Sequence, residues 1–95
     1  MISSAYVETP NAEKYITQLT KHWAHKFEVL EEAGTHIVDF GSAKCFLSAE
    51  ADGLKATIET PGENILKLEE VVADHLNRFA HREGALTFNW SRMPE

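Results

Sequence analysis

Residues 5–10 read AYVETP, and residues 56–61 read ATIETP. In each copy a short stretch of alternating character ends at Thr-Pro, and a long segment with helical spacing follows. Both copies therefore read as a strand running into a helix. Proline at the first helical position gives up no useful donor, because the N–H groups of a first turn are unpaired anyway, and the preceding threonine can accept from one of them. Thr60 with Glu63 matches a capping box. Thr9 has Ala12 in the corresponding place, which leaves Asn11 as the alternative cap. The stretches after the two helices are unlike, so the repeat reads as one physical requirement met twice rather than as a duplicated half-domain.

The spacing predicts a first helix over about Pro10–His25, with Ala12, Tyr15, Ile16, Leu19 and Trp23 along one side. It predicts a second over about Pro61–Glu83, with Ile65, Leu68, Val72, Leu76 and Phe79 as its stripe and Gly84 as its stop. Between them the period falls from 3.6 to 2. Phe27–Leu30, His36–Phe40, Lys44–Glu50 and Leu54–Glu59 alternate, and Glu32–Gly34, Gly41–Ser42 and Asp52–Gly53 punctuate them as turns. Leu54, Ala56 and Ile58 share one face and Lys55, Thr57 and Glu59 the other, so the sheet is expected to be covered on one side only. A last strand is expected where Leu86, Phe88 and Trp90 point one way. The fold class is α+β: a two-layer sandwich with an antiparallel sheet of about six strands, two helices on one face, and the order β-α-β-β-β-β-α-β.

Ninety-five residues with 43% hydrophobic content suit a single domain over residues 1–95. Nine Lys and Arg stand against fifteen Asp and Glu, a formal net charge of −6, so neither nucleic acid nor a membrane surface is an expected partner. The opening MISSAYVETP has no basic or apolar leader, and no stretch nears the roughly eighteen apolar residues of a membrane span. The expectation is a soluble cytoplasmic protein. One cysteine, Cys45, can form neither an internal disulfide nor a thiolate cage, in keeping with a reducing compartment.

Gly-rich phosphate loops, HExxH, paired cysteines and nucleophile elbows do not occur in the sequence. Histidine, however, falls in two clusters toward helix C-termini, HWAHK at 22–26 and HLNRFAHRE at 75–83. One reading is electrostatic, since basic side chains are favoured where a helix accumulates partial negative charge. The sharper reading comes from helical phase. A step of 100° per residue sets His22 and His75 at the margins of the two apolar stripes, facing the seam between helix and sheet or the one between the two helices. Across that seam they could meet and bind a metal, with Arg78 and Lys26 as further ligand-binding positions. Asp74 and Glu83 are available as oxygen donors, whereas His25 and His81 are expected to be solvated and His36 to be a sheet residue. Cys45, alternating with Leu47 and Ala49, reads as a small buried hydrophobe. Phe46 and Tyr6 fall on the uncovered face, so a homo-oligomer is expected to form through that face or along an edge strand.

The segments YITQLTKHWAHKF (15–27) and LEEVVADHLNRFAHRE (68–83) resemble the two signature helices of a small bacterial family, domain of unknown function 2218, nearly end to end. The matching positions are His22, Trp23, His25, Lys26 and Phe27, then His75, Leu76, Arg78, Phe79, Arg82 and Glu83; His81 departs from the pattern, where an aromatic is common. The resemblance implies a stand-alone chain. It also implies a setting near siderophore-interacting flavin reductases, to which some members are joined or adjacent, and it assigns no catalytic residue. The sheet topology is similar to TATA-binding-protein-like folds.

Three functional classes are compatible with these residues. The first is a non-catalytic accessory or ligand-binding module of siderophore or iron handling, with a siderophore reductase as partner and its site at His22, His75, Arg78 and Lys26. The second is a structural or interaction protein that dimerises through its open sheet face. The third is a small enzyme with a histidine base and an anionic substrate held by Arg78 or Lys26; the residue pattern favours a non-enzyme. No cofactor is specified.

Overall fold

In a computed structural model, which describes residues 1–61, 64–80, 83–84 and 86–93, the chain runs β1 (Ile2–Glu8), α1 (Ala12–Trp23), β2 (Glu28–Glu32), β3 (Thr35–Asp39), β4 (Lys44–Ala49), β5 (Gly53–Glu59), α2 (Ile65–Phe79) and β6 (Ser91–Met93). The six strands form one antiparallel sheet in the order β2-β3-β4-β5-β1-β6. Strands β2 to β5 pair with their sequence neighbours as a meander. The N-terminal strand then adds beside β5, with Ala5 opposite Ala56, and β6 closes the far edge, with Ser3 opposite Arg92. The two-layer α+β architecture and its element order agree with the sequence pattern.

Period-2 alternation assigns the faces. Ala5, Val7, Val38, Cys45, Leu47, Leu54, Ala56 and Ile58 turn inward and are at most 4% exposed. Onto them α1 lays Tyr15, Ile16, Leu19 and Trp23, and α2 lays Ile65, Val72 and Leu76. Each fully buried Leu or Ile in this layer contributes about 1.5–3 kcal/mol of apolar burial. Among the described residues no helix lies over the opposite face of the sheet.

Local chemistry accounts for the turns. The β2–β3 hairpin closes through Ala33 and Gly34 at φ 49° and 85°, a two-residue loop whose positive angles match the strand twist. Between β1 and β5 the backbones approach so closely that a Cβ on Gly53 would lie 2.2 Å from the Val7 carbonyl oxygen. The Tyr6 ring lies beside the same glycine, with its Cζ and Oη 2.9 Å from that Cβ position, so Tyr6 covers a gap in its own sheet.

The element ends differ from the periodic pattern in instructive ways. Helix α1 begins two residues after Pro10 and stops at Trp23, because the N–H groups of Lys26 and Phe27 both fold back onto the Trp23 carbonyl, at 2.9 and 2.8 Å, and turn the chain into β2. Thr9 Oγ1 accepts from the N–H of Asn11 at 3.2 Å, one residue before the helix, and the cap residue Asn11 makes no side-chain capping bond, so neither expected cap forms. At the second joint Thr60 instead donates to Asn64 Oδ1 at 2.7 Å, and the expected partner Glu63 lies outside the described residues. Helix α2 ends at Phe79 rather than near Glu83. There Asn77 turns its side chain to the returning tail, accepting from Leu86 N at 2.6 Å and donating to Leu86 O at 3.3 Å. Gly84 takes the left-handed conformation expected of a stop, at φ 85°, but beyond the helix. The alternating Leu86, Phe88 and Trp90 pack against the core without joining the sheet, and pairing starts only at Ser91.

Among the described residues no helix is long and apolar enough to cross a membrane.

Candidate functional site

Helical phase determines what the two helices present to each other. On α1, Trp23 points into the core at 3% exposure, and the preceding His22 turns out along the seam. On α2, Leu76 is fully buried and His75 before it stands half-buried at the same seam. The result is contact between residues 53 positions apart: the His22 and His75 rings have centroids 5.7 Å apart and planes tilted by 42°. His75 also packs on the Trp23 ring at 5.2 Å, and Trp23 is braced edge-on by Phe40 at 5.1 Å and Phe27 at 6.4 Å. One imidazole is thus seated on a rigid aromatic stack and the other is in solvent.

The protonation geometry of His75 follows from its partner. Its Nδ1 lies 2.7 Å from the Val71 carbonyl oxygen, which can only accept, so the proton sits on Nδ1. The neutral ring therefore carries its lone pair on Nε2. Donation from one ring nitrogen to a carbonyl is the usual way a ligating histidine is oriented and its tautomer fixed.

The other sequence-derived positions fall into two groups. Lys26 lies in the turn after α1, four residues past His22, and Arg78 is one turn beyond His75; both are exposed. His25 and Asp74 are exposed as well, and His81 lies outside the described residues. Glu83 is not at the seam. Its carboxylate accepts from Thr9 Oγ1 at 2.9 Å, from Asn11 Nδ2 at 2.9 Å and from the Tyr15 hydroxyl, and so ties the segment after α2 to the start of α1. The Tyr15 and Asn11 donors, against a burial cost, hold Glu83 below the usual carboxylate range. Among the described residues no group of three His, Cys, Asp or Glu is placed to hold a metal ion. Among the described residues the seam offers two nitrogen donors, those of His22 and His75.

A second carboxylate, which the sequence reading passed over, sits in the apolar stripe of α2. Glu69 is 5% exposed and accepts from Ser3 Oγ at 2.6 Å and from Arg92 Nε and Nη2 at 2.8 and 2.6 Å. Burial alone would raise its pKa, but Arg92 and Ser3 outweigh that and lower it. The spacing Ile65, Glu69, Val72, Leu76 was the available signal, a charge where the period demands an apolar residue. Its role is structural, fastening β6 to β1 and α2. His36 faces the helix layer from β3, 3.9 Å from Glu31, with its Nδ1 buried and without a hydrogen-bond partner among the described residues. Cys45 is fully buried, which pushes its thiol up to about 12 and makes it a core residue as expected. Open surface depressions lie beside Gly41–Lys44 and Glu59–Pro61, and around Thr9, Pro10 and Ala51; neither His22 nor His75 lines them.

Comparison with known proteins bears on family and fold. No curated protein matches the chain. A solved structure described as the NMR structure of PA4090 from Pseudomonas aeruginosa is similar to it at 37% sequence identity and a TM-score of 0.78, over 95% of this chain and 94% of that one. The family model described as "Uncharacterized protein conserved in bacteria (DUF2218)" matches residues 4–91. With nearly its whole length matched and both histidine-bearing helices inside the match, the chain belongs to this bacterial family, DUF2218.

Proposed function

We propose that the protein is a small, non-catalytic ligand-binding module whose site is the seam between α1 and α2. His22 and His75 supply nitrogen donors to a transition-metal ion, and Lys26 and Arg78 favour an anionic chelator that fills the remaining positions. The observation that carries this reading is the 5.7 Å separation of the two rings. With metal–nitrogen bonds of about 2.1 Å and a tetrahedral angle, two imidazoles on one ion have centroids about 5 Å apart, so a small rotation of the exposed His22 brings both into range. The second support is the His75 tautomer, which leaves Nε2 available. A site with two donors among the described residues suits capture and hand-over of a chelated ion better than permanent structural binding, which ordinarily uses four.

The iron setting rests on the family resemblance alone. On that reading the module works in the cytoplasm beside a siderophore-interacting reductase and receives iron or its chelate. The net charge of −6 weighs against nucleic acid as the ligand.

Isothermal titration of the protein with zinc, ferrous and ferric ions and with a ferric siderophore tests the reading. Saturable binding at one ion per chain is expected, lost in a His22→Ala/His75→Ala double variant. Silence from the wild type, or equal binding by the double variant, refutes the site.

A further inference from the structure

The sheet face opposite the helices has its own order, set by strand register. One row of cross-strand neighbours runs Leu30, Ile37, Phe46, Thr57, Ser4 across β2, β3, β4, β5 and β1. Its first three members form a continuous apolar strip in which Leu30 is 50% exposed and Ile37 and Phe46 are half-buried. Its polar members share a hydrogen bond, the hydroxyls of Ser4 and Thr57 lying 3.0 Å apart, so covering them leaves one hydroxyl proton to find an acceptor across the interface.

We propose that this face binds a second copy of the same chain, in a symmetric dimer whose twofold axis runs along that row. The charges on either side argue for a copy rather than an unrelated partner. A twofold along the row lays each residue two positions before it over the residue two positions after it on the same strand of the other copy. On β5, Lys55 of one copy meets Glu59 of the other, and the reverse, giving two ion pairs. On β4, Lys44 meets Ser48, and on β3, Asp39 meets Thr35. Every outward charge on β3, β4 and β5 therefore faces an opposite charge or a hydroxyl. Like charges coincide only on the edge strand β2, where Glu28 meets Glu32, and there the twist of two packed sheets splays them toward solvent. Such self-complementarity is what an isologous interface requires.

The size of the face sets the strength. Six strands about 4.8 Å apart, with up to seven residues of about 3.3 Å each, give a footprint of roughly 550 Å² per copy. That is about a tenth of the 5859 Å² surface and below the roughly 800 Å² per partner of a standard interface, which puts the dimer in the weak, reversible class.

Sedimentation equilibrium over about 5 μM to 1 mM tests the proposal, with circular dichroism confirming that each variant folds. Wild type is expected to show monomer–dimer exchange. Lys55→Glu, a change at an exposed position, is expected to weaken it by at least about tenfold, and the charge swap Lys55→Glu/Glu59→Lys to restore it to within about threefold. Phe46→Ser is expected to abolish it over this range. A monomer at every concentration overturns the proposal, whatever else covers the face. A dimer indifferent to Phe46→Ser overturns the choice of face, and one not rescued by the charge swap overturns the symmetry.

Discussion

Replacing Tyr15 by phenylalanine removes one hydroxyl from the cluster in which Thr9, Asn11 and Tyr15 converge on Glu83. The ring stays in the core, where Tyr15 is 3% exposed, so no cavity is created. A hydrogen bond to an ionised group contributes about 1.5–3 kcal/mol when shielded. Glu83 is exposed, and solvent screening brings the expected loss to about 1 kcal/mol. For a chain of this length that lowers Tm by about 4–8 °C. The pH dependence is the sharper test. Glu83 is lowered because Tyr15 and Asn11 donate to its charged form, so its contribution is complete above the ordinary carboxylate value of 4.5 and is lost as pH falls through the lowered one. Tyr15 is raised because Glu83 accepts its proton and because it is buried; its contribution is complete below 10.0 and is lost as pH rises through the raised value. The stability gap between wild type and Tyr15→Phe should therefore be flat from about pH 5 to 10 and close at both ends. Guanidinium unfolding followed by tryptophan fluorescence at acid, neutral and alkaline pH measures it, and a cycle with Glu83→Gln isolates the coupling. A gap as large at pH 3 as at pH 7, or additive single variants, would refute the account.

Two further outcomes follow from the buried groups. Arg92→Met leaves the Glu69 carboxylate buried with Ser3 as its donor. Because Glu69 is lowered in the folded protein, its contribution is complete above the ordinary value of 4.5 and is lost as pH falls through the lowered one, so the destabilisation should be larger at neutral pH than in acid, and amide exchange in Ser91–Met93 should accelerate; equal loss in both would argue against the pair. With its thiol near 12, Cys45 holds about one part in 10⁴ as thiolate at pH 8, so a disulfide reagent should label it only in step with global unfolding, and rapid labelling of the native protein would contradict its burial.

The sequence was most informative where the cause of structure is local. The change of period from 3.6 to 2 located both helices and the four-strand meander, because each element's faces are fixed by its own residues. It failed along the tail for the opposite reason. Leu86, Phe88 and Trp90 alternate like a strand, yet strand identity depends on a neighbour to pair with, and β1 offers one only from Ser91 onward. The end of α2 is likewise decided by Asn77 gripping Leu86 and by the bonds of Glu83 to the start of α1, contacts across 9 and up to 74 positions that no local pattern carries. The place of β1 between β5 and β6 is equally non-local.

The candidate site divides along the same line. The tautomer of His75 is a local property, since Nδ1 bonds a carbonyl one turn back on its own helix. Helical phase also places His22 and His75 at the margins of their stripes without reference to the rest of the chain. What phase leaves open is whether the two margins face each other, and that depends on both helices lying over one sheet face in a common orientation. The sheet supplies this condition because its alternation is apolar on one side only, so the two stripes have a single surface to cover. The same one-sidedness leaves the opposite face bare. The histidine seam and the Leu30–Ile37–Phe46 strip are thus two consequences of one pattern, set on opposite sides of the domain, and a ligand at the first leaves the second free to meet another copy.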